Sequence, residues 1–292
     1  MAISADQVIE TFGTATEENQ VSSLREHQVV NVPAGAELWI AGDIHDHTRN
    51  FEKFVRAADL ANNPNRHIVL QELIHGDKID ATGAEGSWEI LFRAAELKCD
   101  YSGQVHFLLA NHDLAQIQGE GIMKAGVGVC EAFNAGVKRD FGDRSAVVTV
   151  ALSEFLLSLP LAVRAPNGLF MCHSLPADEQ LKNFDYSVFN RPLTGADYKR
   201  RTGAVYQLVW GRKTGPASIN EFAAKVSAAL LIVGHQPQES GYAVVGDRLL
   251  IIASDHNQGV FVTVDTDEDY DMDRLLEHVH KFVALDVGAG AE

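Results

Sequence analysis

Asp43 and His45 stand two residues apart in Gly42-Asp43-Ile44-His45, directly behind the apolar run Leu38-Trp39-Ile40-Ala41. An aspartate and a histidine at the end of a buried strand can reach one cation. Further donors follow in order along the chain: Gln71-Glu72, Ala110-Asn111-His112-Asp113, and two isolated histidines, His173 and His235, each closing its own apolar run. Oxygen and imidazole donors suit manganese, iron and zinc, and the lack of thiolate partners argues against softer metals. Ligands of this kind converge at strand C-termini in open α/β sheets. Five ordered segments, each at a strand end, point to one metal site more strongly than any single Asp-x-His does.

The segments also match a known pattern. Where the calcineurin-like metallophosphoesterases have Gly-Asp-x-His, Gly-Asp-x-x-Asp-Arg, Gly-Asn-His-Asp/Glu, a lone His and Gly-His, this chain has Gly42-Asp43-Ile44-His45, Gln71-Glu72-Leu73-Ile74-His75-Gly76, Ala110-Asn111-His112-Asp113, Cys172-His173 and Gly234-His235-Gln236-Pro237. The chain resembles that family, nearest the branch of serine/threonine protein phosphatases and bacterial dinucleoside polyphosphate hydrolases. Asn190-Arg191-Pro192 and Val209-Trp210-Gly211 look like the Arg-Pro and Trp segments of the protein phosphatases.

The resemblance implies two divalent ions (manganese, iron or zinc). Asp43 and His45 would hold the first, Asn111, His173 and His235 the second, and Glu72 would bridge them. It implies hydrolysis of phosphate esters by a metal-bridging hydroxide, with His112 as general acid and Arg191 as phosphate clamp; Arg212 is a weaker candidate for the clamp. A planar guanidinium can hold two phosphate oxygens at once. The substrate would be a phosphoprotein or a small phosphoester. Dinucleoside polyphosphates and a catalytically weak phosphate-binding role stay open as alternatives.

The chain departs from the pattern at several positions. Gln71 replaces Gly, Glu72 replaces Asp, His75 replaces the second Asp, Gly76 replaces Arg, and Asp46 replaces the Gly after Asp-x-His. The missing Asp normally orients the catalytic His. Asp46 or Asp113 is expected to orient His112 in its place, with His75 left solvated at a loop start.

Size and charge narrow the classes. The chain has 292 residues, 46% of them hydrophobic, enough for a sizeable core. Asp plus Glu number 40 against 24 Lys plus Arg, a formal net charge of -16, which argues against nucleic-acid or anionic-membrane partners. Three scattered cysteines make a disulfide framework or cysteine zinc site unexpected. The polar, acidic start lacks a signal-peptide pattern, and no run approaches the about 18 apolar residues of a membrane span; the expectation is a cytoplasmic protein, with its oligomeric state open. The acidic run from Asp265 to Asp273 lacks the glycine and glutamate of a calcium loop and reads as a solvated turn.

The elements that must position these residues follow from periodicity. Ser4 and Gln7 can cap a helix ahead of Val8, Ile9 and Phe12. Strands are expected at 37–41, 67–70 and 105–109, with helices at 48–61 and 85–97 between them, the alternation of a largely parallel sheet. A helical stretch runs from Asp113 to about Ser158. Pro166-Asn167-Gly168 between two apolar runs signals a hairpin. Later strands at 230–233, 248–253 and 260–264 suggest a second, more antiparallel sheet. The family resemblance adds the four-layer αββα sandwich of two mixed β-sheets flanked by helices. The whole chain, 1–292, is expected to be one domain, with a helical extension at 1–30 and a frayed tail at 287–292.

Overall fold

The computed structural model describes residues 3–285 except 120 and 125; the expected tail at 287–292 lies outside the described residues. The first helix, α1 (Ala5–Val21), starts with the expected capping box: Gln7 N–H donates to the Ser4 hydroxyl, and Ser4 N–H donates to the Gln7 side chain. Val8, Phe12 and Ala15 form its buried stripe.

Two short strands, β1 (Arg25–Glu26) and β2 (Val29–Asn31), lead into β3 (Glu37–Asp43). Helix α2 (Thr48–Ala58) is shorter than expected because Asp59 turns left-handed at its C-cap. Next come β4 (Arg66–Gln71), α3 (Trp88–Asp100), β5 (Val105–Leu108) and α4 (Asn111–Gln118). Helix α3 starts later than the pattern suggested, since the Glu85 carboxylate folds onto Ser87, accepting from its N–H and hydroxyl. The helical stretch expected over 113–158 is interrupted. Gly119 ends α4 in the left-handed region, and a small hairpin of β6 (Met123–Lys124) and β7 (Val127–Gly128) precedes α5 (Val129–Phe141) and α6 (Ser145–Ser158). The expected Asn-Gly hairpin joins β8 (Ala162–Arg164) to β9 (Leu169–Cys172), with Gly168 at φ 86°. The remainder comprises α7 (Asp178–Leu181), α8 (Ala204–Trp210), α9 (Pro216–Lys225), β10 (Leu230–Val233), β11 (Tyr242–Val245), β12 (Leu249–Ile252), β13 (Val260–Asp265), α10 (Met272–Glu277) and β14 (Val279–Lys281).

The strands form two mixed sheets flanked by helices, with orders β14-β13-β3-β4-β5 and β1-β2-β8-β9-β10-β12-β11. Strand β13 was expected in the second sheet, but it pairs antiparallel with β3 in the first. The second sheet is less antiparallel than expected, since β10 runs parallel to both β9 and β12. Strand alternation explains the layering. Leu38, Ile40 and Val69 of the first sheet meet Met171, Ile232, Leu250 and Ile252 of the second in one apolar layer. Their neighbours Trp39, Ala41, Ile68, Leu70, Phe170, Leu231 and Val233 face the other way, into the core beneath the helices. The sheets touch where β3 ends: Asp43 makes a parallel bridge to Ala253, just past β12. The C-terminal ends of β3, β4, β5, β9 and β10 all lie at this seam.

Candidate metal centre

Backbone geometry at the seam is unusual and explains the motif glycines. A Cβ on Gly42 would overlap the Ile252 carbonyl of the other sheet, and one on Gly234 would overlap Asp43 Oδ1 and crowd Gln71 Oε1. His45, Asp46, Glu72, His75 and His235 have φ between 43° and 66°, five of the nine non-glycine residues in the left-handed region among the described residues. Each such residue costs about 1–3 kcal/mol and persists only where its surroundings impose it. Here the loops after β3 and β4 lock together, since the N–H groups of Ile44 and His45 both donate to Glu72 O, and Asp46 N–H donates to Leu73 O.

These loops, with the start of α4 and the segments after β9 and β10, bring together all six residues expected to bind metal. His173 Nε2 lies 2.8 Å from Asn111 Oδ1 and 3.4 Å from Glu72 Oε2. His235 Nδ1 lies 2.7 Å from the same Asn111 oxygen, and His45 Nε2 lies 3.6 Å from Glu72 Oε2. Asp43 Oδ1 accepts from His235 N–H at 2.9 Å. Glu72 and Asp43 are buried against one another. Burial, eased in part by hydrogen bonds from His235 and Glu72, raises the Asp43 carboxyl to about 6. Burial and then repulsion from Asp43 hold Glu72 well above the usual carboxylate range.

The hydrogen bonds around His173 fix which of its nitrogens faces the cluster. Gln71 Nε2–H donates to Ala41 O, so its oxygen faces His173 Nδ1, 2.9 Å away. That oxygen can only accept, so His173 carries its proton on Nδ1. Burial keeps His173 neutral by pushing its pKa well below the usual range. Its Nε2 lone pair therefore points at Asn111 Oδ1 and toward Glu72 Oε2. His173 Nε2, Asn111 Oδ1 and Glu72 Oε2 thus converge, while Asn111 Nδ2 is buried with no hydrogen-bond partner. Imidazole, carboxylate and amide oxygens are also the donor set of manganese, iron or zinc, so these residues fit divalent cations.

His112 and its surroundings depart from expectation. His112 N–H donates to Glu72 Oε1 at 3.0 Å, and its ring stacks near Trp210. Neither Asp46 nor Asp113 is the partner that the structure gives its Nδ1. That atom lies 2.9 Å from Nδ1 of His75, which is fully buried rather than solvated. Asp113 turns back to accept from Ala110 N–H at the start of α4, and burial raises its carboxyl to about 7. Asp46 lines a separate surface hollow with Thr48, Lys78 and Glu89. A Cβ on Gly76 would collide with the Asp46 side chain at 2.5 Å. Asp46 and Gly76 are thus one exchange, the side chain at the first position filling space that the second leaves open.

A cleft of about 430 Å³ opens over the cluster, lined by Asp43, Glu72, His112, Trp210, Arg212 and Asp255 among others. Arg212, the weaker sequence candidate, is there: its Nε–H donates to His235 Nε2 at 3.0 Å. Arg191 is not among the lining residues. Its guanidinium is bound to both Asp185 and Asp197. Sequence reasoning also missed Ile122, Met123 and Asp255 on the cleft wall, which nothing in their local pattern marks, and Pro237, which closes the Gly234-His235-Gln236-Pro237 segment. In the acidic run after β13, Asp267 accepts from Gly35 N–H and Asp271 caps α10.

Comparison with known proteins agrees with the architecture. The profile of the family described as calcineurin-like phosphoesterase matches residues 36–257. The structure is similar to a protein serine/threonine phosphatase from Saccharomyces cerevisiae, with a TM-score of 0.66 and 16% identity over 90% of this chain and 83% of that one. It is also similar to a cold-active protein-tyrosine phosphatase from a Shewanella species, with a TM-score of 0.54 and 11% identity over 86% of this chain and 80% of that one. At these identities the likeness speaks for the fold. No curated protein matches the sequence. Among the described residues, no helix is long and apolar enough to cross a membrane.

Proposed function

Because the chain belongs to the calcineurin-like phosphoesterases, a family of metal-dependent phosphoesterases, we propose that it hydrolyses phosphate monoesters at a two-cation centre. Asp43 and His45 would hold one ion, Asn111, His173 and His235 the other, and Glu72 both. The observation that carries this reading is the convergence of two donor groups that share Glu72, one with His45 and His112 and one with His173 and His235, the ligand atoms of each lying within 4.8 Å of one another. Bound divalent cations supply charge neutralisation and an acidified water for such hydrolysis.

The protein's own side chains supply the rest. His112, at the cleft wall, gives its proton to the leaving oxygen. Arg212 clamps the phosphoryl oxygens, the role expected of Arg191. Asn111, at the first position of α4, places the phosphate near a helix N-terminus.

The cleft favours a monoester over a dinucleoside polyphosphate. Among the described residues Arg212 is the one cationic side chain lining it, while Ile122, Met123, Trp210 and Pro237 form apolar walls. A polyphosphate chain would bring further charges against those walls, where they lack partners. A phosphorylated protein side chain is a monoester of the favoured kind, in keeping with the two phosphatases of similar fold. Metal-stripped protein should gain p-nitrophenyl phosphatase activity on adding manganese and turn over phosphopeptide faster than diadenosine tetraphosphate. No turnover with manganese, iron or zinc would instead favour a catalytically weak relative, for which Glu72, His75 and Gly76 in place of the family's residues are the supporting features.

A further inference from the structure

We infer that His75 is a positioning residue: its neutral ring accepts the Nδ1 proton of His112 and so presents the other nitrogen of His112 to the leaving oxygen. The inference rests on His112 being the proton donor.

The proton directions can be followed inward from the surface of α5. Gln116 Nε2–H donates to Asn134 Oδ1 at 2.8 Å, which turns the Gln116 oxygen toward His75 Nε2, 3.0 Å away. An amide oxygen only accepts, so His75 carries a proton on Nε2. A neutral His75 then has a lone pair on Nδ1, and His112 Nδ1 at 2.9 Å must be the donor. With Nδ1 committed inward, Nε2 is the nitrogen of His112 that can carry a second proton toward a leaving group in the cleft.

The surroundings hold His75 firmly. It is fully buried with φ 64°, its N–H donates to Ser87 Oγ at 2.9 Å, and its ring meets Phe133 edge-on at 5.7 Å. Ser87 is itself tied to Glu85 through two hydrogen bonds. A left-handed, fully buried histidine with both ring nitrogens in specified contacts is more constrained than a packing role requires. Two imidazoles thus do by acceptance alone what a carboxylate could do by charge.

The test compares leaving groups. Phenyl phosphate needs a proton on its departing oxygen, and dinitrophenyl phosphate does not. His75→Leu should lower kcat for phenyl phosphate about 100-fold, with KM, manganese affinity and dinitrophenyl phosphate turnover nearly unchanged. His75→Asn, whose side-chain oxygen can replace the Nδ1 acceptor, should recover most of the loss. Gln116→Leu leaves the His75 ring in place and should give a smaller loss confined to phenyl phosphate; it serves if His75→Leu does not fold. An equal fall on both substrates, or none, overturns the inference. His112→Ala separates the two levels. If it keeps phenyl phosphate turnover, the proton-donor reading is wrong; if it alone loses turnover, only the role of His75 is wrong.

Discussion

Replacing Gln71 by Leu keeps the side-chain volume but removes the acceptor facing His173 Nδ1 and the donor to Ala41 O. Gln71 is 2% exposed and His173 0%, so water cannot replace either bond. The orphaned Nδ1–H loses about 1–3 kcal/mol. The imidazole can recover this by moving its proton to Nε2, but that nitrogen then loses the lone pair needed for a cation. Metal binding must reverse the shift, so the affinity for manganese should fall about 10- to 100-fold, or about 1.4–2.8 kcal/mol. Calorimetric titration of manganese into metal-stripped protein at neutral pH measures this directly. Gln71→Glu retains an acceptor for Nδ1–H and should bind manganese more tightly than Gln71→Leu. Equal affinity for the wild type and Gln71→Leu, with the fold intact by circular dichroism, would refute the tautomer argument.

Other expected outcomes follow from the same geometry. Asp43 is raised from 3.8 to about 6 in the metal-free protein. A raised carboxyl stabilises the fold below its unfolded value and loses that contribution as pH rises through about 6, so isosteric Asp43→Asn should stabilise the metal-free protein at neutral pH while weakening metal binding; a lower Tm for this variant than for wild type would contradict that. Release of protons from Asp43 and from the more strongly raised Glu72 makes manganese affinity rise with pH through about 6 and above it, as calorimetry in buffers of different ionisation enthalpy will register. Arg212→Ala should lower kcat/KM about 10- to 100-fold through loss of a charged hydrogen bond to phosphate, whereas Arg191→Ala should lower Tm and leave kcat/KM in place; steady-state kinetics on both decide which arginine is the clamp. Gly234→Ala forces a methyl against Asp43 Oδ1 and Gln71 Oε1 and should destabilise by about 1–3 kcal/mol, measured by urea denaturation.

The donors were legible because each stands directly behind a short apolar strand. Asp43, Glu72, Asn111, His173 and His235 each follow or end such a run, and strand geometry carries them to one seam. His75 was not legible: only the left-handed backbone at Glu72 and His75 folds the loop back under α4, and no local pattern announces that. The place of the two arginines was not legible because motif position cannot show that Asp185 and Asp197 occupy the guanidinium of Arg191 while Arg212 lines the cleft. Strands β1, β11 and β14 escaped notice because short edge segments such as Tyr242–Val245 are only partly buried and owe their form to pairing with a neighbour, and the inner strand β2, three residues long, is too short to show a period. Strand β13 has the right residues for either sheet, and its assignment depends on its register with β3.

Diffraction from crystals grown with manganese, recorded at the manganese absorption edge, bears most directly on the centre itself. The expected map has two anomalous peaks, one beside Asp43 and His45 and one beside Asn111, His173 and His235, with Glu72 between them. A map with no peak in that cluster, or with manganese bound only elsewhere on the chain, would contradict the proposed assignment of these six residues.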